Sequence, residues 1–114
     1  MKFDRFEDII AWQKAKDLNI AVYSAFSETK DFSFKNQIQR ASVSIMNNIA
    51  EGFERSSNNE FKYFLYIAKG SSGEVRSMAI LAKELNFINQ QDCDLIYKLS
   101  NEISMIISGL IKKL

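Results

Sequence analysis

Four basic side chains recur every seven residues in the second half of the chain. They are Lys62, Lys69, Arg76 and Lys83, and Tyr66 lies among them in the sequence. Seven residues are close to two turns of an α-helix, so the four cations form a nearly straight row about 30 Å long. A row of this kind matches the repeating charge of a phosphate backbone, and a neighbouring tyrosine can stack on a base. The spacing therefore indicates a nucleic-acid-binding surface, with an ordinary solvated helix face as the alternative.

A second polar set repeats at helical spacing shortly before this row. It contains two arginines, a glutamate, a serine and two asparagines: Arg40, Ser44, Asn47, Asn48, Glu51 and Arg55. Short amides and planar guanidinium groups suit a fixed hydrogen-bond network better than a freely hydrated surface. We interpret this face as a partly buried network, either between helices or across a subunit contact. A ligand site is the alternative, and a solvated position is the simpler interpretation for Asn47.

Glycines interrupt the helical pattern that carries the basic row. Gly70 and Gly73 flank two serines, Ser71 and Ser72, just before Glu74. A glycine inside a helix costs about 1 kcal/mol relative to alanine, so two such glycines require a reason. Close approach of a neighbouring helix or subunit is one reason, and contact with a ligand is the alternative.

Most enzyme chemistry is excluded by composition. The chain has no histidine and a single cysteine, Cys93. Base–nucleophile pairs that use histidine, Glu-x-x-His di-iron motifs and an intrachain disulfide are therefore ruled out. Glu51 and Glu74 remain as carboxylates for acid–base work, and we interpret them as structural hydrogen-bonding groups. The sequence predicts no catalytic residue, no metal site and no cofactor.

The overall composition is that of an ordinary globular protein. Of 114 residues, 46% are hydrophobic, and 15 basic against 14 acidic residues leave a net charge of +1. A nucleic-acid site must therefore be a local patch rather than a property of the whole surface. No apolar run approaches the ~20 residues that cross a bilayer, and the N-terminal segment lacks a secretory-signal pattern. We expect no membrane association and a cytoplasmic location.

Hydrophobic periodicity predicts four helices and no strands. They cover approximately residues 7–28, 34–54, 57–86 and 89–114, and no proline interrupts them. Long helices joined by short turns predict an all-α fold, an antiparallel up-down-up-down four-helix bundle that forms one domain over residues 1–114. Nine phenylalanines, four tyrosines and one tryptophan are more aromatic residues than one small core readily hides, which predicts self-association.

Local patterns define the ends and inner faces of these helices. Ser57 and Glu60 have the spacing of a capping box, and Asn89 is a looser cap for the last helix. The third helix is expected to bury Phe64 and Ser71. The last helix carries a coiled-coil-like apolar seam, made of Ile96, Leu99, Ile103, Ile106 and Leu110. Its apolar face is widened beyond one seam by Ile107, Ile111 and Leu114.

These segments resemble a known family over nearly the whole chain. The family pattern is Arg-Ala, then Ser-Ile, NIAEG, an arginine, an acidic–aromatic pair and an Ala-x-Gly-Ser-x-x-Glu segment. It is matched here by Arg40–Ala41, Ser44–Ile45, Asn48–Gly52, Arg55, Glu60–Phe61 and Ala68–Glu74, with a further match at Trp12–Ala15. The chain thus resembles the bacterial four-helix-bundle proteins encoded within intervening sequences of large-subunit ribosomal RNA genes. Met46 stands where many relatives have proline, a departure that leaves the second helix less prone to kink.

The resemblance implies both an assembly and a partner. Its members form ring-like homo-oligomers, typically pentamers, and similar proteins serve reverse transcriptases of diversity-generating retroelements as nucleic-acid-binding accessory subunits. Structural or interface roles are implied for the motif residues, namely Arg40, Ser44, Asn48, Glu51, Gly52, Arg55, Gly70, Ser71 and Glu74. We therefore expect a non-enzymatic homo-oligomer that binds structured RNA or an RNA-handling protein. The alternative is an assembly scaffold that does not contact nucleic acid.

Overall fold

The computed structural model describes residues 2–114, which fold into four long α-helices and a short 3₁₀ turn. The turn covers Phe6–Asp8, and the helices are α1 (Ile10–Ala25), α2 (Phe32–Glu54), α3 (Asn58–Glu84) and α4 (Gln90–Lys113). No strand occurs in this part of the chain. The predicted all-α fold is confirmed.

Side-chain caps explain where three of the helices begin. Ser57 Oγ accepts a hydrogen bond from Glu60 N at 3.2 Å, and Asn89 Oδ1 accepts one from Asp92 N at 2.7 Å, so both predicted caps are confirmed. Asp31 caps α2 in the same way, which places its first residue at Phe32 rather than at the predicted residue 34. Such caps satisfy amides that have no partner inside the helix.

Two of the predicted helices were too long, since α1 covers residues 10–25 rather than 7–28 and α3 covers residues 58–84 rather than 57–86. The first helix begins at Ile10, because Ile9 has extended backbone angles after the 3₁₀ turn. The third ends at Glu84, because Asn86 adopts a φ of 60° and the amide of Phe87 bonds back to the carbonyl of Ala82 at 2.8 Å. An asparagine in the left-handed region, followed by this back-bond, is a common way to stop a helix.

The helices are arranged as an antiparallel bundle in which each contacts two neighbours. α1 packs on α2 and α4, and α3 packs on the same two helices from the opposite corner. The bundle measures 43 × 21 × 19 Å. Its longest dimension is close to the length of one of its long helices. This is the predicted up-down-up-down four-helix bundle.

The apolar core runs along the axis of the bundle. Its largest fully buried members come from all four helices and include Leu18, Ile38, Ile45, Ile49, Leu65, Ile96, Ile103 and Ile107. One detail of the predicted inner face of α3 was wrong, because Ser72 is fully buried whereas Ser71 and Phe64 are half-buried. In α4, Ile107, which was predicted to widen the apolar face, is fully buried, and the seam positions Leu99 and Ile106 are half-buried. Each helix faces two neighbours, so its buried stripe is wider than a single seam.

Small polar side chains connect the helices within this core. Asn19 of α1 donates to the carbonyl of Ser42 on α2 at 2.8 Å and accepts from the Ser42 hydroxyl at 2.9 Å. Ser72 of α3 donates to the carbonyl of Ser100 on α4 at 2.6 Å. Each buried side-chain nitrogen or oxygen of the described residues has a hydrogen-bond partner, which is the condition under which polar groups are tolerated in a core.

Within residues 2–114, none of the helices combines the length and hydropathy of a membrane-crossing segment.

Candidate nucleic-acid interface

The predicted basic row, Lys62, Lys69, Arg76 and Lys83, lies on the side of α3 that faces α4. Lys69 is exposed, and the other three side chains are half-buried. No described residue forms an ion pair with any of the four. Seven residues fall about 20° short of two full turns, so the row drifts towards the α3–α4 groove as it approaches Lys83. The structure thus leaves four cations available along one edge of the bundle.

Arg76 differs from the three lysines because α4 holds it. Its Nη1 donates to Ser104 Oγ at 2.9 Å, and Ser104 in turn donates to Ser72 Oγ at 3.1 Å. A guanidinium has five N–H donors, so one bond to a hydroxyl leaves others for a phosphate. The serine contact limits how far the guanidinium moves. Arg76 is therefore the most fixed charge of the basic row.

The groove beside Lys83 contains the single cysteine. Ile80, Cys93, Asp94 and Tyr97 line this groove, and Cys93 is 7% exposed, with its Sγ 3.5 Å from the carbonyl of Ala79. Burial raises the pKa of the Cys93 thiol, and the Asp94 carboxylate raises it further. The thiol therefore stays protonated at neutral pH, which is the state of an unreactive cysteine.

Tyr66 lies on the solvent side of α3, in a stripe that points away from the bundle. We call this the outer stripe; it consists of Tyr63, Tyr66, Ile67, Gly70, Gly73, Glu74, Ser77, Ile80, Leu81 and Glu84. Tyr63 is 62% exposed, Tyr66 59%, and Ile80 and Leu81 50% each. Tyr66 is thus open to solvent near Lys62 and Lys69, but it is one member of a larger apolar surface. Sequence reasoning missed that surface, although its members also recur at helical spacing.

The polar face of α2 divides into a half-buried part and an exposed part. Ser44 and Ser71 share a hydrogen bond of 3.0 Å between α2 and α3, and the Asn48 amide donates to Ser44 Oγ at 2.9 Å. Glu51 and Arg55 are exposed and pair with each other at 2.6 Å along the helix surface. The structure therefore brings Ser44, Asn48 and Ser71 together and leaves the charged residues outside.

The other predicted residues lie outside this cluster. The Arg55 guanidinium stacks on the ring of Phe64 at 4.8 Å, a cation–π contact. Gln37 Nε2 donates to Glu74 Oε2 at 3.5 Å, a long bond at an exposed position. Arg40 and Asn47 are exposed, and neither has a side-chain hydrogen bond among residues 2–114. Arg40 is thus a cation without an intrachain partner in the described structure.

The glycines of the predicted motif have two different environments. A Cβ added at Gly52 would lie 2.7 Å from Phe64 Cβ and 3.0 Å from Phe61 Cδ1, so α2 and α3 approach too closely there for any side chain. A Cβ added at Gly70 would meet nothing within 4 Å, and one at Gly73 would be 3.9 Å from Arg76 Nη2. The close approach predicted for Gly70 and Gly73 is therefore not found within the described chain, and α2 and α3 instead approach closely at Gly52, where none was predicted.

One cluster of cations depends on contacts that no sequence pattern indicates. A cup of about 180 Å³ at the end of the bundle is lined by Lys2 and Arg55 together with Asn58, Phe61 and Leu114. Lys2, Arg55 and Leu114 are far apart in sequence, and they meet where α2 ends and α3 begins. Among the described residues, no group of three or more carboxylate, thiol or imidazole side chains is arranged to hold a metal ion.

Comparison with known proteins identifies the family to which this chain belongs. A sequence model described as 23S rRNA-intervening sequence protein matches residues 7–109. The fold is similar to the crystal structure of a protein of unknown function from the S23 ribosomal protein family of Bacteroides thetaiotaomicron, with a TM-score of 0.84 and 24% identity over 90% of this chain and 98% of that one. No curated protein matches. Neither description names a catalytic activity. The chain belongs to the 23S rRNA-intervening sequence protein family.

Proposed function

We propose that this protein is a non-enzymatic, cytoplasmic accessory protein that binds structured nucleic acid, with RNA as the preferred class. The observation that carries the proposal is the basic row on α3. Its four cations lie on one edge of the bundle, about 10 Å apart, and none is neutralised by an ion pair with another described residue. Cations placed in this way exchange their counterions for phosphates when nucleic acid binds.

The net charge of +1 supports a weak, local site rather than a strong general affinity. Self-association increases such affinity, because linked copies of a weak site act at high effective concentration. The pentamer that the family resemblance implies is part of this proposal. In a single copy, exposed Tyr66 adds an aromatic face beside the lysines, on which an unpaired base can stack.

Fluorescence anisotropy of labelled structured RNA and duplex DNA, at several salt concentrations, tests the proposal. We expect binding to both, tighter for RNA, with an affinity that falls steeply as salt rises. K69E should weaken binding about tenfold and reduce the salt slope by roughly one contact, because Lys69 is the most exposed member of the row. Absence of binding at low salt would overturn the proposal.

A matched control separates the basic row from a change in total charge. Lys16 is exposed on α1, which lies diagonally across the bundle from α3. K16E alters the net charge by the same amount as K69E and should leave the affinity within about twofold. Equal losses in the two variants would show that overall charge, rather than the row, determines binding.

A protein-interaction scaffold is the second candidate, and the outer stripe of α3 favours it. Tyr63, Tyr66, Ile80 and Leu81 together expose far more apolar surface than isolated side chains usually do on one helix face. On this proposal the family-motif residues support contacts with other protein chains, and binding to nucleic acid is absent at all salt concentrations. The anisotropy experiment therefore distinguishes the two candidates directly.

A further inference from the structure

We propose that the groove between α3 and α4 beside Lys83 is a subsite for one unpaired guanine of a bound RNA. We call it the α3–α4 groove, and its lining includes Ile80, Lys83 and Glu84 of α3 and Gln90, Asp94 and Tyr97 of α4. The subsite rests on the RNA binding proposed above. It adds a base preference, which contacts to phosphates alone do not supply.

The walls of the α3–α4 groove expose aromatic and apolar surface. Tyr97 on α4 is 43% exposed, and Ile80 on α3 is 50% exposed. Cys93 lies buried beneath them as an uncharged thiol, with its Sγ bonded to the carbonyl of Ala79. The groove has a volume of about 250 Å³, below the roughly 300–1,000 Å³ of pockets for drug-sized ligands. Its size and its tyrosine therefore suit a single base, because proteins bind unpaired RNA bases by stacking them on aromatic side chains.

The charges of the groove favour a neutral base over a phosphate. One cation, Lys83, and two carboxylates, Glu84 and Asp94, line it, and none of the three forms an ion pair with another residue of 2–114. A phosphate inside the groove would meet two like charges, whereas a base is uncharged and presents hydrogen-bond donors. The phosphates of the same strand are held by Lys83 and by Arg76, which lies one turn of α3 before Ile80.

The basic row leads a bound strand to this groove. The row drifts towards the α3–α4 side as it approaches Lys83, because seven residues fall short of two full turns. Arg76 is fixed by its bond to Ser104 of α4, so the strand is held close to α4 before it reaches Lys83. A base that leaves the stack at this point meets Tyr97.

Asp94 determines which base the groove prefers. Gln90 Nε2 donates to Asp94 Oδ1 at 2.7 Å, a bond along α4 that orients the carboxylate and leaves its other lone pairs free within residues 2–114. Guanine is the RNA base with two adjacent donors, N1–H and N2–H₂, on its Watson–Crick edge, and these match the two oxygens of a carboxylate. Adenine, cytosine and uracil each place an acceptor beside their donor, and that acceptor would face a carboxylate oxygen.

Fluorescence anisotropy with RNA hairpins that differ in one loop base tests the subsite. All hairpins share one stem and a loop of uridines, with guanine, inosine, adenine or uridine at the central loop position. We expect the guanine hairpin to bind about five- to tenfold more tightly than the adenine and uridine hairpins, with inosine, which lacks the N2 amine, between them. Equal affinity for all four would overturn the subsite and leave the proposed RNA binding intact. Absence of binding to every hairpin would overturn both.

The variant D94N separates base recognition from charge. It removes a negative charge, so attraction to phosphates does not fall, but its amide group replaces one acceptor oxygen with a donor. We expect the preference for guanine to fall below about twofold, while affinity for the uridine hairpin stays the same or rises. D17N, the same change at an exposed aspartate of α1, should keep the preference. Retention of the preference in D94N would overturn the assignment of Asp94.

The variant Y97L tests the stacking contact independently. Leucine keeps an apolar side chain in the groove but removes the aromatic ring, so binding of the guanine hairpin should weaken about fivefold. Affinity for the uridine hairpin should change by less than twofold, because its contacts are mainly to phosphates. Circular dichroism of D94N, D17N and Y97L should match the wild type. An unchanged affinity of Y97L for the guanine hairpin would overturn the stacking role of Tyr97.

Discussion

Two glycines of this protein, Gly52 and Gly70, differ in what surrounds them, and the difference separates the inner from the outer surface of the bundle. At Gly52, a Cβ would approach that of Phe64 to 2.7 Å, so packing between α2 and α3 accounts for the residue. At Gly70, no atom lies within 4 Å of the position that a Cβ would occupy. The inner glycine is explained by the fold of one chain, and the outer glycine is not.

The same contrast applies to two serines of α3. Ser72 is completely buried and bonds to the Ser100 carbonyl of α4, whereas Ser77, a further turn along α3, is exposed on the outer stripe. The residue types at inner positions of α3 are therefore constrained by the stability of the fold. Outer positions are free to serve contacts with another molecule. Substitutions on the two surfaces should therefore change the free energy of unfolding by different amounts and with opposite signs.

The largest effect is expected for Gly52→Ala. The new methyl group overlaps the backbone-linked Cβ of Phe64, which cannot move without shifting α3. Overpacking of this kind exceeds the gain in helix propensity, so the free energy of unfolding should fall by about 1–3 kcal/mol. Urea denaturation followed by circular dichroism measures it. A stabilised variant would show that α2 and α3 are less closely packed than described here.

Ser72→Ala should be the next largest change. It removes the 2.6 Å bond to Ser100 and the acceptor of the Ser104 hydroxyl, both in the core. We expect a loss of about 1–2 kcal/mol in the free energy of unfolding. Ser77→Ala provides the exposed counterpart and should change stability by less than about 0.5 kcal/mol. Equal effects of the two substitutions would remove the distinction between the surfaces.

Gly70→Ala should act in the opposite direction to Gly52→Ala. With open space around the new methyl group, the chain gains helix propensity, and the monomer should become more stable by up to about 1 kcal/mol. Unfolding is best measured at low protein concentration, so that association does not contribute. Destabilisation comparable with that of Gly52→Ala would imply that Gly70 is also packed inside the chain.

The smallest effect on monomer stability is expected for Glu51→Ala. Glu51 is a family-motif residue, but its carboxylate is exposed and pairs only with Arg55, four residues later. Exposed pairs of this kind contribute about 0.3–0.5 kcal/mol. A change in oligomer mass, measured by light scattering, would show that Glu51 acts between subunits. An unchanged mass with wild-type thermal stability would count against the scaffold function.

The sequence was sufficient to predict the elements of the fold. A 3.6-residue apolar period, the absence of proline and the caps at Ser57 and Asn89 are local properties, and local properties determine where helices form. Boundaries at Ile10 and Phe32 were missed because backbone conformation at Ile9 and the Asp31 cap decide them. The basic row was predictable for the same reason as the helices, since all four members belong to one helix.

Tertiary structure alone decided which polar residues have partners. Ser71 bonds to Ser44 on α2, whereas Ser72 is fully buried and bonds to the carbonyl of Ser100 on α4, because α3 packs against both of these helices. The sequence determined that Gly52 and Gly70 both lie within helical segments. Only the packing of α2 on α3 showed that one is enclosed and the other is open, because the space beside a glycine depends on residues distant in sequence.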